Sequence, residues 1–139
     1  MIPLLLKEVE GMGCAVEAER DKLKLLDPRP ITDEIRSLLR KHKPEILKMF
    51  EREKLAKQHG WIAFPYGEAF EKQISRDTSV FIFLEDDGTY TVWRATWSDG
   101  AAPVKESTII ERVDFETALE RANNYVQWFQ NNRWIQKKG

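Results

Sequence analysis

The sequence is short of the residues that most chemistry needs: it has one cysteine and two histidines. Each shortage excludes something. A single thiol, Cys14, cannot close an internal disulfide, so the chain fits a reducing, cytoplasmic compartment. Cys14 itself reads as a small buried hydrophobe. His42 and His59 both fall at charged helix ends and away from Cys14, and no metal-ligand spacing surrounds them. A nucleophile needs a base within reach, and no pairing of these residues supplies one. Gly11-Met12-Gly13 follows a helical pattern, the wrong context for a phosphate-cradling loop, and Asp86-Asp87 is explained by a turn. The expectation is a protein that is not an enzyme and uses no metal or cofactor.

Long apolar runs are also missing. Ile2–Leu6, the run near the start, is far shorter than the roughly 20 residues that span a bilayer. No basic segment precedes it, and Lys7, Glu8 and Glu10 follow at once, unlike a secretory signal. Charge of one sign is missing too. The net charge is −1, with +2 over residues 1–59 (13 Lys+Arg against 11 Asp+Glu) and −3 over residues 60–139 (9 against 12). That balance argues against coating nucleic acid by charge alone. What is present suits folding: 139 residues, 42% hydrophobic, with a mean hydropathy of −0.53. This is enough for one compact domain or two very small ones.

The N-terminal part has a clear pattern. Ile2, Leu5, Leu6 and Val9 recur at helical spacing, and Gly11 and Gly13 end that helix. Residues 14–19 and 22–26 read as two short strands joined by Arg20-Asp21. Pro28 and Pro30 break the chain. Thr32 is a good N-cap, with Asp33 and Glu34 in the first turn. Ile35, Leu38 and Leu39 form that helix's apolar stripe, and Lys41-His42-Lys43 ends it. Pro44 suits the first turn of a third helix, which buries Ile46, Leu47 and Phe50. The order is helix, hairpin, helix, helix.

This arrangement resembles the TubC N-terminal docking domain: a leucine-rich first helix, a glycine turn, a hairpin carrying Lys22-Leu23-Lys24-Leu25, then two helices. Ile31 to Leu47 is the most telling stretch, with its leucine pair Leu38-Leu39, a helix break, His42-Lys43 and Glu45-Ile46-Leu47. The likeness covers residues 2 to about 52. Such domains sit at the N-termini of peptide and polyketide synthase subunits, form dimers and capture the C-terminal tail of the preceding subunit against the hairpin. The resemblance therefore implies a homodimer and a protein partner with an acidic tail, held by strand addition. The matching edge is Lys22–Leu26, so Arg20, Lys22, Leu23, Lys24 and Leu25 are the candidate partner-binding residues. Lysines on a strand edge also serve simply to protect it.

Residues 58–139 resemble no family, and we divide the chain at 1–57 and 58–139. Gly60–Gly67 reads as a connection with a short strand, followed by a helix over 68–74. Residues 80–84 and 90–97 are rich in β-formers and flank Asp87-Gly88, the signal of a two-residue type I′ hairpin. That turn sets Phe83 opposite Val92, Phe81 opposite Arg94 and Ile82 opposite Trp93. One face then carries Val80, Ile82, Leu84, Trp93 and Trp97 as core. The other carries Phe81, Phe83, Tyr90, Val92, Arg94 and Glu85. Phe81, Phe83, Tyr90 and Arg94 on one face suit single-stranded nucleic acid; the simpler reading, which we favour, is that the face is covered by a helix, the N-terminal region or a second subunit. After Ser98-Asp99-Gly100 and Pro103, residues 107–113 read as a third strand. Asp114 caps a helix with Phe115, Leu119, Ala122, Val126 and Phe129 on one stripe. The basic end, with Arg133, Trp134, Lys137 and Lys138, reads as a frayed terminus. The expected fold class is α+β: a helix-hairpin-helix-helix docking-like unit and a small antiparallel sheet packed by a C-terminal helix.

Overall fold

The structure is a computed structural model that describes residues 2–98, 100 and 102–138, the last six as backbone. It contains helices and antiparallel sheets, an α+β protein. The elements are α1 (Ile2–Gly11), β1 (Ala15–Glu19), β2 (Lys22–Leu26), α2 (Asp33–Lys41), α3 (Lys43–Gln58), β3 (Ile62–Ala63), β4 (Ala69–Gln73), β5 (Thr78–Leu84), β6 (Tyr90–Thr96), β7 (Lys105–Val113) and α4 (Phe115–Lys138). The chain divides into two compact units, Met1–Leu55 with Pro65–Gly67, and Ala56–Phe64 with Glu68–Gly139.

In the first unit the apolar residues of α1, α2 and α3 meet over the inner face of the β1–β2 hairpin. Leu5, Leu6, Val9, Cys14, Ile31, Ile35, Leu39, Ile46 and Met49 are buried together, and Val16, Leu23, Leu25 and Phe50 pack against them. Leu38, counted on the same stripe from spacing alone, is exposed. The Thr32 hydroxyl accepts a hydrogen bond from the Ile35 N–H at 3.2 Å, which caps α2. Pro65–Gly67 forms a short turn with Tyr66 at φ 63° and Gly67 at φ 70°. The Tyr66 hydroxyl donates to Glu10, and Lys7 Nζ lies 5.8 Å from the ring centroid.

In the second unit five antiparallel strands follow one another in the order β3-β4-β5-β6-β7, and α4 packs on one face. Phe70, Val80, Ile82, Tyr90 and Val92 from the sheet meet Phe115, Ala118, Leu119, Ala122, Val126 and Phe129 from α4. Asp114 caps α4 as its chemistry predicts: Oδ1 accepts from the Thr117 N–H at 2.8 Å, and the Thr117 hydroxyl, then that N–H, hold its carboxyl below the usual range.

Two expectations need correction. Residues 68–74 are not helical: Ala69–Gln73 is strand β4, paired with β5 from Ala69–Phe83 to Gln73–Ser79. The period here is two, with Phe70 and Ile74 buried and Glu71 and Gln73 on the opposite side. The backbone of α4 continues to Lys138; the side chains of 133–138 lie outside the described residues, as does Asp99 between Ser98 and Gly100.

The second correction is the register of the β5–β6 hairpin. The observed pairs are Leu84–Tyr90, Phe83–Thr91, Ile82–Val92, Phe81–Trp93 and Val80–Arg94, one residue from the expected set. A type I′ turn needs both central residues at positive φ, whereas only Gly88 takes it here, at 87°. The Gly88 N–H donates to the Glu85 carbonyl at 3.1 Å and the Glu85 N–H to the Thr89 carbonyl at 2.8 Å. The loop is therefore Asp86-Asp87-Gly88, a type I turn closed by a glycine bulge. Because side chains alternate with period two, one extra loop residue exchanges the faces of β6. Tyr90, Val92 and Arg94 turn toward α4; Trp93 and Trp97 turn the other way.

Asp87 stabilises this loop. Its Oδ1 accepts from the Thr89 hydroxyl and from the Thr89 N–H at 2.9 Å, and its Oδ2 accepts from Arg112 at 3.0 Å. Arg112 sits at φ 54° where β7 is irregular and also reaches Glu85 at 3.2 Å and Asp86 at 3.8 Å. The Thr89 hydroxyl, then its N–H, then Arg112 hold the Asp87 carboxyl below the usual carboxylate range. A depressed folded-state value means that the contribution to stability is present above the unfolded aspartate value, about 3.9, and is lost as pH falls through the folded one. A carbonyl-detected NMR titration is expected to give Asp87 a midpoint below that reference, moving up in Thr89→Ala. An unmoved midpoint in the variant would contradict the assignment.

Candidate functional site

β2 alternates Lys22, Leu23, Lys24, Leu25 and Leu26, with Leu23 and Leu25 half-buried. Two-residue periodicity sends those leucines inward and Lys22, Lys24 and Leu26 outward. Outward, the hairpin is a charge ladder: Lys22 stands across from Glu19 and Lys24 across from Glu17. Among the described residues β2 pairs with β1 alone, so its other edge has no ladder partner.

Beside β2 lies a groove of about 350 Å³ lined by Lys22, Leu23, Leu25, Arg36, Leu39, Arg40 and Lys43. Three leucines make the floor, four cations make the wall, and among the described residues no carboxylate lines it. The cations come from three elements, and α2 sets the positions of two. Arg36 and Arg40 stand at i and i+4 on one face of α2, with Leu39 beside them, and Lys43 is the first residue of α3. Arg40 and Lys41 also suit the carbonyl end of α2, which accounts for some of this charge without any ligand.

Of the residues singled out from sequence, Lys22, Leu23 and Leu25 line the groove, while Arg20 and Lys24 do not. Arg20 is the first loop residue of the hairpin, at φ 59°. Arg36, Arg40 and Lys43 were not anticipated. The i, i+4 spacing of Arg36 and Arg40 was a usable signal, but it becomes a site only when β2 is laid beside α2.

A second cavity of the same unit, about 220 Å³, is lined by Leu6, Cys14, Met49, Phe50, Glu10 and Tyr66 among others. Cys14 is buried, and burial raises its thiol above the ordinary value, disfavouring the thiolate. Among the described residues no group of three or more His, Cys, Asp and Glu side chains is placed to hold a metal ion.

The four residues expected to share an aromatic face in the second unit are separated. Tyr90 is buried and meets Phe115 edge-on at 5.2 Å. Arg94, opposite Val80, is on the α4 side, with a buried Nε. Phe81 and Phe83 stay on the other face and are joined there by Trp93 and Trp97. Their ring centroids lie 5.3–5.9 Å apart: Phe81–Phe83 5.4 Å, Phe81–Trp93 5.3 Å, Phe83–Trp93 5.8 Å and Phe81–Trp97 5.9 Å. No helix among the described residues is long and apolar enough to cross a membrane. Comparison with protein-family models, with curated proteins and with solved structures gave no match for the chain.

Proposed function

We propose that this chain is a protein–protein docking module whose first unit captures an acidic peptide segment in the groove between β2 and α2. The observation that carries the reading is the groove's composition: Lys22, Arg36, Arg40 and Lys43 around Leu23, Leu25 and Leu39, with no acid. A peptide laid along the unpaired edge of β2 gains backbone hydrogen bonds, while alternate side chains meet the leucine floor and the cations. Arginine supplies paired N–H donors to each carboxylate, so the α2 residues set specificity more than the lysines do. The resemblance of residues 2–52 to a docking domain points the same way.

The test uses a labelled peptide alternating glutamate and leucine, titrated by fluorescence anisotropy. Arg36→Glu with Arg40→Glu is expected to weaken it at least about tenfold, the scale of two lost charge-assisted contacts, and to reduce its salt dependence. Lys24→Glu, outside the groove, is expected to change little. Equal binding by the double variant, with unchanged circular dichroism, would overturn the proposal. Single-stranded nucleic acid as the ligand has less support, because the exchange of faces takes Arg94 away from Phe81 and Phe83.

A further inference from the structure

The sheet of the second unit has α4 on one face, and the pairing defines what the other face carries. Phe81, Phe83, Trp93 and Trp97 touch one another there, and each remains half-buried and partly open to solvent. Glu71 is directly across from Phe81, and Glu106 is across from Ala95, which lies between the two tryptophans. Ile62, across from Glu71, is 62% exposed. Among the described residues no lysine or arginine is paired into this face. Lys72, Arg94 and Lys105 fall opposite Val80, Val80 and Thr96, on the alternate side. Arg112 stands at an irregularity of β7, with its guanidinium bound to Glu85, Asp86 and Asp87.

Every ionisable side chain that the pairing sets among these rings is therefore a carboxylate, and the ring faces are themselves the negative ends of a quadrupole. The two add to a surface that attracts cations and repels phosphate. A second copy is disfavoured for the same reason: an isologous contact sets like against like, which here means carboxylates alone. We propose that this face binds a basic, arginine-bearing segment of a protein partner. Guanidinium planes stack on Phe81, Trp93 and Trp97 and pair with Glu71 and Glu106. Arginine fits better than lysine because its weakly hydrated plane stacks on a ring while its N–H groups reach a carboxylate.

The full chain is titrated at low and physiological salt with a labelled arginine-serine repeat peptide, and in parallel with its lysine-serine counterpart. The arginine peptide is expected to bind about 2–5-fold more tightly per ring engaged. Glu71→Lys and, separately, the edge-strand change Glu106→Lys are expected to weaken it about tenfold. Trp93→Leu is expected to remove the preference for arginine while leaving residual salt-sensitive binding. Equal binding of the two peptides, or unchanged binding in both glutamate variants, would overturn the proposal. So would tighter binding of an oligothymidylate, or a dimer by sedimentation that Trp93→Leu dissociates. Because the probe is basic and the groove of the first unit is cationic, this result is independent of the docking test above.

Discussion

Phe70→Ala is expected to remove about 3–5 kcal/mol of stability, the range for a large aromatic side chain deleted from a packed core. Phe70 is fully buried at the centre of the second unit, across from Ile82, with its ring 5.4 Å from that of Phe115. Truncation leaves a void between sheet and helix that neither can close without breaking other contacts. Against a typical domain stability of about 5–15 kcal/mol, the variant is marginal at best. Urea unfolding followed by near-ultraviolet circular dichroism measures the loss, with Phe70→Leu as the milder comparison. A loss under about 1 kcal/mol would mean that β4 does not anchor this core.

Gly67→Ala is the second large effect, and its cause differs. Gly67 has φ 70°, and an added Cβ would lie 2.8 Å from Met49 Cγ, near the root of a buried side chain. The left-handed backbone costs about 1–2 kcal/mol for a residue with a Cβ, and overpacking Met49 adds about 1–3 kcal/mol. The two contributions separate in a double variant. Met49→Ala in the Gly67→Ala background is expected to recover the steric part alone, so the pair should be non-additive. Strict additivity of the two losses would show that the side chains do not meet.

The first unit was readable from sequence because its signals are local. Thr32, Pro44 and the glycines mark element ends by chemistry that acts within one turn, and the apolar residues of α1 and α2 recur at helical spacing. The second unit depended on longer-range choices. Ala69–Gln73 carries an alternation too short to separate from a helical turn, and its pairing with β5 decides the matter. For the 80–97 hairpin, Asp87-Gly88 fits two loop types. Selecting the longer one takes the hydrogen bonds from Thr89 and from Arg112, a residue far along the chain. The groove was half-visible: β2 stood out, whereas Arg36, Arg40 and Lys43 looked like ordinary helix-surface charge until α2 lay beside the strand.

The Asp86-Asp87-Gly88 loop has a genetic consequence. Surface loops usually accept insertions and deletions. Removing the codon for Asp86 would leave Asp87-Gly88 as a two-residue connection. Every side chain of β6 would then trade sides, driving Trp93 and Trp97 beneath α4 and exposing Tyr90. At this loop tip the identity of Asp86, whose side chain is 93% exposed, is open to drift, but the loop's length is under the same constraint as the interior. Descendants of this sequence can change what they write at that position far more readily than how many letters they use.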